Sequence, residues 1–446
     1  VSLDVPRRIL ILGSGGREHA LAWKLAAEAG VEQVVVAPGS AGIAQTPGVR
    51  CVSVDPLNGA AVVALAHVES IELVVIGPEA PLAAGVADAL EAGDVPVFGP
   101  DATAARLESS KTFCHQIAEA AGVRMARAQA FAGGAESVAA AEGFANDLAA
   151  AGLGIVLKAD GLAAGKGVVV TTGLEEALTL LPSFLTDRPT DRPALVVEAR
   201  LDGAEASVIA ICDGLHAVAL PAARDHKRLG DGDAGPNTGG MGAYSPLPDL
   251  SDADVAHVLT TVHRPILAEM NRRGMPFRGF LYAGLMLTAD GPALLETNVR
   301  LGDPEAQAIL PLLGVDLAPL LLAAARGALP ATPELLPTHD GAAVAIVLAA
   351  AGYPGDPRKG DAISGIDAAL AQGALVFHAG TAATPDGAYS ANGGRVLAVV
   401  GRGPDIAAAR DTAERAADVV SWPGMQRRHD IARGVTAAAG SAGAVS

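Results

Sequence analysis

The run Glu296-Thr297-Asn298-Val299-Arg300 sets two oxygen donors and a guanidinium at alternate positions. Alternate residues of a strand share one face, so Glu296, Asn298 and Arg300 are expected together, with Leu295, Thr297 and Val299 opposite. Oxygen donors suit Mg²⁺, which retains waters and shares the phosphate oxygens of a nucleotide. A neighbouring arginine can stabilise charge on a phosphoryl group in transfer. Three alternating polar residues also suit an exposed strand face, but Gly302-Asp303-Pro304-Glu305 follows at once and argues against a plain strand end.

The stretch from Lys158 to Gly167, Lys-Ala-Asp-Gly-Leu-Ala-Ala-Gly-Lys-Gly, is the sharpest local feature. A Walker loop has four residues between its glycines, a Ser or Thr after its lysine, and a helix beyond. Here three residues separate Gly161 from Gly165, Gly167 follows Lys166, and the valines at 168–170 predict a strand. A hairpin flap over phosphates fits better than a Walker cradle. Gly161, Gly165 and Gly167 allow close backbone approach, and Lys158 and Lys166 bring positive charge. The plainer alternative is a basic surface hairpin.

Gly13-Ser14-Gly15-Gly16-Arg17-Glu18-His19 follows an apolar run and opens a helical pattern. Amides at a helix start can hold a phosphate, with a simple tight turn as the alternative. A dinucleotide fingerprint would want Gly or Ala at Glu18 and an acid ending the next strand, where Ala37-Pro38-Gly39 stands, so a nicotinamide-dependent oxidoreductase is disfavoured twice. Gly77-Pro78-Glu79 follows a later strand at the same sheet edge, where ligands of open α/β sheets bind. Glu79 is there either to accept protons from a ligand or as a solvated loop carboxylate.

Arg224-Asp225-His226-Lys227-Arg228 is by default a solvated charge run, but Gly235-Pro236-Asn237-Thr238-Gly239-Gly240-Met241-Gly242 beside it is too glycine-rich for a simple linker. Together they can shape a substrate pocket. No nucleophile signature supports a triad through Asp225 and His226. His257 and His263 lie on a helical stretch without metal spacing and read as solvated histidines.

These groups need a scaffold. The chain of 446 residues is long enough for two to four domains. Aromatics are only 3% against 50% hydrophobic residues, so Ala, Val, Leu and Ile must build the core. A net charge of 32 − 49 = −17 disfavours nucleic-acid binding while leaving room for a local basic pocket. Cys51, Cys114 and Cys212 form no CxxC pair, which fits a reducing, cytoplasmic compartment. No apolar run nears the roughly 18 residues of a membrane span, and the run at 9–12 reads as a first strand, not a signal peptide.

Strands over 9–12, 34–37, 73–76 and 95–98, with helices over 18–29 and 81–92, predict a doubly wound parallel sheet. From about residue 107 the texture becomes α+β, with strands over 155–159, 168–172, 195–198, 207–212, 215–220, 280–288 and 293–300. Asp-Gly turns at 213–214 and 290–291 signal hairpins. A proline-rich stretch at 327–340 leads to a smaller α+β domain with strands over 342–349, 374–378 and 395–400 and a helix over 406–420. The expected division is 1–106, 107–327 and 328–434, with a disordered tail at 435–446.

Segments 13–19, 77–81, 158–167, 225–228, 235–244 and 300–307 together resemble the phosphoribosylamine–glycine ligase family of the ATP-grasp superfamily. The last, Arg-Leu-Gly-Asp-Pro-Glu-Ala-Gln, matches that family's signature, and the similarity runs from Ile9 to about Val420. The resemblance implies an N-terminal Rossmann-like substrate domain, a central ATP-grasp domain and a small C-terminal domain. It implies the purine-biosynthetic ligation of glycine to 5-phosphoribosylamine, with ATP giving ADP and phosphate through glycyl phosphate.

Carried over by position, the resemblance implies that Lys111 and Lys158 contact ATP phosphates under a flap of Gly161, Gly165, Lys166 and Gly167. Glu198, Leu201 and Glu205 would flank the adenosine, and Glu296 and Asn298 would hold Mg²⁺, or Mn²⁺ in its place. Arg300, Lys166 and Asp225 are the catalytic candidates. Gly15, Gly16, Arg17, Glu18, Pro78, Glu79, His226, Lys227, Gly240, Arg300, Asp303 and Pro304 are the substrate-binding candidates. The hinge departs from the family pattern at Ala199, Arg200 and Ala204. Such a protein is expected to act as a monomer or weak homo-oligomer, with transient contact to the upstream amidotransferase. The alternatives are another ATP-grasp ligase or carboxylase with a different acceptor, and a nucleotide sensor without turnover.

Overall fold

The computed structural model describes residues 3–162 and 167–435. The expectations for Gly165, for Lys166 and for the tail beyond residue 435 lie outside these residues.

The first sheet is all parallel, in the spatial order Val49–Cys51, Gln33–Pro38, Arg8–Gly13, Leu73–Ile76 and Val97–Phe98. Its inner strands are continuous apolar runs because helices cover both faces. The order reverses between Arg8–Gly13 and Leu73–Ile76, so the crevice beyond their carboxyl ends lies between the Gly13–Gly16 turn and Gly77-Pro78-Glu79. The helix expected over 81–92 is in fact two, Glu79–Ala83 and Val86–Ala92. Gly85 separates them at φ +79°, a left-handed conformation that only glycine adopts cheaply.

Two antiparallel sheets follow. The smaller runs Ala128–Ala132, Pro193–Ala199, Ile155–Ala159 and Val168–Val170, backed by the helices Glu136–Ala150 and Leu174–Leu185 around a core of its own. The larger runs Ala217–Ala219, Ala204–Asp213, Arg278–Thr288 and Gly291–Asn298. Both Asp-Gly turns expected from the sequence join neighbouring strands of this sheet.

The third unit pairs distant segments. Its five-stranded sheet takes Arg224–Asp225 and Gly242–Ser245 from the middle of the chain and Ala342–Ala349, Arg395–Gly403 and Leu375–His378 from the C-terminal part. One apolar cluster accordingly contains Ile9, Ile209 and Phe377 from the three regions. Phe98 meets Phe280 edge-to-face at 4.7 Å across one of the junctions. No helix among the described residues is long and apolar enough to cross a membrane.

Candidate active site

A cleft of about 330 Å³ opens where the three units meet, between the smaller and larger antiparallel sheets and the switch point of the parallel sheet. Each wall brings charge to it.

On the smaller sheet, Lys158 points in from Ile155–Ala159 and is buried. Its ammonium lies 2.7 Å from Glu198 Oε2 and donates to the Leu295 carbonyl at 2.8 Å. The other oxygen of Glu198 sits 2.6 Å from His115 Nε2. Burial alone would push the Glu198 carboxyl up, but Lys158 and His115 outweigh it and hold it below the usual carboxylate range. Lys111 begins the helix Lys111–Ala120, which Ser110 caps by accepting the Phe113 amide. Asp160 strengthens that helix start by accepting the Thr112 amide at 3.1 Å, and Lys111 donates to the Gly161 carbonyl at 3.1 Å. The ascending arm of the glycine loop is thereby tied to the helix that begins with Lys111.

Opposite lie Glu296 and Asn298 of the strand Gly291–Asn298. Glu296 pairs with Gly284 and Leu294 with Leu285, leaving Leu295 as the extra residue of a bulge. The bulge breaks the alternation expected from the sequence at Leu295 alone, which reaches the cleft wall beside Glu296. Thr297 stays inside, donating to the Leu107 carbonyl at 2.7 Å. Among the described residues, neither the Glu296 carboxylate nor the Asn298 amide has a hydrogen-bond or ion-pair partner of its own, although both line the cleft. An unengaged carboxylate and amide oxygen on a wall rich in cations fit a hard divalent ion that also takes phosphate oxygens.

Lys227 reaches the same space, its ammonium 2.9 Å from Glu205 Oε2 and 3.3 Å from Asp225 Oδ1. Burial pulls its basicity down, but Asp225, Tyr282 and Glu205 outweigh it and hold the ammonium well above its ordinary range.

At the far end, Arg300 stands just past the strand. Its guanidinium is 2.8 Å from Glu108 Oε1 and 3.4 Å from Glu79 Oε2. Burial opposes the positive charge, yet Glu108 and Glu79 keep it firmly protonated. Arg17 approaches from the parallel sheet and donates to the Leu301 carbonyl at 3.1 Å. Arg395 approaches from the C-terminal sheet, bonding the Gly239 and Asp303 carbonyls and pairing with the Asp303 carboxylate at 3.3 Å. The turn 301–305 is where all three units touch. Gly240 has φ +109° there, and a side chain on it would strike Pro304.

The cleft thus unites Lys111, Lys158, Gly161, Gly167 and Glu198 with Asp225, Lys227, Glu296, Asn298 and Arg300, and with Arg17, Pro78, Glu79 and Asp303. Other candidates stand behind its wall. Gly15, Gly16 and Glu18 form the helix start: the Glu18 carboxylate accepts the Gly15 amide at 2.6 Å, bonds Arg17 Nε at 2.6 Å, and fills the space a side chain on Gly13 or Gly77 would need. The His226 ring lies against Tyr244, while Glu205, outside the lining, pairs with Lys227. Leu201, Gly240 and Pro304 are likewise outside the lining.

Sequence reasoning missed Glu108, His115, Tyr282, Glu305 and Arg395, all of which line the cleft. Arg395 follows Gly393-Gly394, a signal that could have drawn attention to it. Glu305 lies inside the 300–307 signature without having been given a role, and the other three sit singly in helices or strands with no local pattern.

Two antiparallel sheets gripping a cationic cleft, with an oxygen-donor pair on one wall and an open parallel sheet beside it, define an ATP-grasp ligase. Family models match in three consecutive pieces: "Phosphoribosylglycinamide synthetase, N domain" over 7–108, its "ATP-grasp (A) domain" over 109–306 and its "C domain" over 343–434. The phosphoribosylamine–glycine ligase of Streptomyces coelicolor is 49% identical over 428 residues, covering 95% of this chain and 98% of that protein. The crystal structure of the Thermotoga maritima phosphoribosylamine–glycine ligase superposes with a TM-score of 0.75 at 33% identity, over 95% of this chain and 100% of that one. A Hydrogenobacter thermophilus biotin carboxylase domain has a TM-score of 0.66 at 16% identity, covering 95% of this chain and 92% of that one, which shows the shared fold alone. The chain belongs to the phosphoribosylamine–glycine ligase family, the ATP-dependent ligases of purine biosynthesis that make glycinamide ribonucleotide.

Proposed function

We propose that this cleft joins glycine to 5-phosphoribosylamine through glycyl phosphate. The glycine carboxylate attacks the γ-phosphate of ATP, ADP departs, and the ribosylamine nitrogen then displaces phosphate to form the amide. A carboxylate acylates an amine poorly until it is phosphorylated, and phosphoryl transfer needs positioned cations more than covalent help from the protein.

Lys111 and Lys158 bind the nucleotide phosphates, Lys158 being held in place by Glu198 and the Leu295 carbonyl. Glu296 and Asn298 are the residues that would hold Mg²⁺ or Mn²⁺, which when bound neutralises phosphate charge. Arg300 stabilises the transferring phosphoryl group, its guanidinium aimed by Glu108 and Glu79. Asp225 and Lys227 face glycine, one sign for each end of the amino acid. Arg17, Pro78, Glu79 and Asp303 receive the ribosylamine at the switch point of the parallel sheet. Closure of the domains around these groups keeps water from the acyl phosphate.

The observation that carries this reading is the unengaged Glu296–Asn298 pair set among Lys158, Lys227 and Arg300 in one cleft. The test is ADP release with Mg²⁺ and ATP, omitting glycine or phosphoribosylamine in turn, with the product identified by mass. Turnover that needs both and yields glycinamide ribonucleotide is expected; glycine-independent ADP formation with bicarbonate or formate would overturn it.

A further inference from the structure

Glu305 opens the short helix Glu305–Ile309 immediately after the turn that carries Arg300. It is 3% exposed, yet it reaches the cleft wall, and none of the roles above uses it. Its Oε1 accepts the Ser207 hydroxyl at 3.2 Å, and that hydroxyl lies 2.8 Å from the Tyr282 hydroxyl. A Cβ on Gly302 would come within 2.5 Å of Oε2, so the bare glycine is what lets the carboxyl lie against the signature turn.

The groups facing Glu305 are Ser207 and Tyr282 from the larger antiparallel sheet, Asp225 and Lys227 from the strand end and loop beside it, and Arg300 from the turn. Burial, and then the Asp225 carboxylate, push its carboxyl up to about 7 against the pull of Lys227. Such a carboxyl is more basic than a solvated glutamate and still partly ionised at neutral pH, the balance a general base requires. Asp225, the carboxylate that raises it, has one oxygen committed to Lys227.

We propose that Glu305 accepts the proton released by the ribosylamine nitrogen as that nitrogen attacks glycyl phosphate, an assignment that rests on the acyl-phosphate reading above. The C–N bond forms. The bond from the carbonyl carbon to the bridging oxygen breaks, and its electron pair leaves on phosphate. The nitrogen proton passes to the Glu305 carboxylate and from there to the departing phosphate, which leaves as hydrogen phosphate with the carboxylate restored. Attack of the glycine carboxylate on ATP moves no proton, so Glu305 has no part in the first half reaction.

That asymmetry supplies the test. In full-length wild-type protein and Glu305→Gln, the first half is read by glycine-dependent exchange of the β,γ-bridging oxygen of ATP and by trapping the glycyl group with hydroxylamine. Amide formation reads the second. Exchange and trapping are expected within about threefold of wild type while amide formation falls roughly 10²–10⁴-fold, the usual worth of a positioned base. Equal loss in both halves means a structural role and overturns the proposal, as does amide formation near the wild-type rate. Ser207→Ala is the second variant. Removing a donor to the carboxylate raises its proton affinity, so the acidic limb of amide formation moves to higher pH, and an unmoved limb overturns the proposal too. Wild-type protein that makes the amide without exchange or hydroxamate would instead overturn the acyl-phosphate reading.

Discussion

Both carboxylate oxygens of Glu108 are committed to the strand end that bears Arg300. Oε1 accepts Arg300 Nη2 at 2.8 Å, and Oε2 accepts the Val299 amide at 2.8 Å. Glu108 belongs to the short helix Arg106–Ser109, so a helix leading from the parallel sheet fixes the direction of a guanidinium just past a strand almost 200 residues later. Burial pushes the Glu108 carboxyl above the usual range despite Arg300, so this is a costly group, and Glu79 faces the guanidinium Nε at 3.4 Å without a hydrogen bond.

Glu108→Gln keeps an oxygen for the Val299 amide and removes the charge that aims Arg300. We expect kcat to fall at least tenfold with little change in KM for ATP or glycine, and stability to fall by about 1–3 kcal/mol. Steady-state kinetics and urea unfolding of the same preparation check both. A rise in KM at constant kcat would mean that Arg300 binds the ground state instead.

The Lys158–Glu198–His115 chain predicts a separation of stability from function. Lys158→Met leaves Glu198 buried with only His115 beside it, a loss of roughly 3–5 kcal/mol for an uncompensated charge. The double variant Lys158→Met with Glu198→Leu should recover most of that stability, because a buried pair replaced by apolar side chains is often neutral. It should not recover ATP binding. Denaturant midpoints and equilibrium nucleotide binding give the two readouts, and recovery of binding in the double variant would remove Lys158 from the phosphate site.

Much of this site was legible before the structure because its chemistry comes in runs. Arg300 and the start of its signature, the alternation at Glu296 and Asn298, and Lys158 with Gly161 and Gly167 are all local in sequence and line one cleft. What was not legible came from pairings between distant segments. The bulge opposite Gly284 brings Leu295 to the cleft, which no period-two reading anticipates. Strands Arg224–Asp225 and Gly242–Ser245 are short, and they join a larger sheet only where Gly242–Ser245 pairs with Ala342–Ala349. Glu108 looks like an ordinary helix carboxylate until tertiary contacts bury it, and the signature alone does not show that Glu305 is buried against Ser207. His263, read as solvated, is fully buried with its ring held to the Leu281 carbonyl at 3.2 Å.

The junction between the parallel sheet and the C-terminal sheet includes a bare backbone position pressed against a ring. A Cβ on Gly42 would overlap the His378 ring, whose own amide donates to His19 Nδ1 at 2.8 Å. Gly42 has φ −70°, so alanine there is strained by contact alone. Gly42→Ala should cost about 1–3 kcal/mol by overpacking. His378→Ala in the same chain should recover part of it by vacating the space. A double-mutant cycle from urea midpoints measures the coupling, and strict additivity would mean that the loop and the ring do not meet.

Buried neutral histidines give the fold an acid limit. Burial lowers His263 and His378 to about 4 and His19 to about 3. A group whose folded pKa is depressed binds fewer protons in the native state, so its stability contribution is complete above its unfolded value and is lost as pH falls towards the folded one. For an unfolded value of about 6.5 and a folded value near 4, the loss by pH 5 is roughly 2 kcal/mol for each imidazole. Denaturant midpoints should be level above pH 7 and drop between about pH 6.5 and 4. His263→Gln should flatten that drop, and an unchanged slope would mean that His263 is already solvated in the native protein.

Glu296 separates metal binding from folding more directly than any other residue here. Its carboxylate has no hydrogen-bond or ion-pair partner among the described residues, so Glu296→Ala breaks no such bond and should leave the metal-free protein within about 0.5 kcal/mol of wild type. With Mg²⁺ and ATP the two should diverge. A ligand that binds only the native state stabilises by RT ln(1 + [L]/Kd), about 2.7 kcal/mol at one hundred times Kd. Wild type should gain that increment, and the variant should gain little and turn over at least a hundredfold more slowly. Replacing Mg²⁺ by Mn²⁺ and following the metal's paramagnetic signal gives a readout independent of catalysis. Equal Mn²⁺ affinity in both proteins would show that the ion is held elsewhere and that the strand Gly291–Asn298 carries no metal.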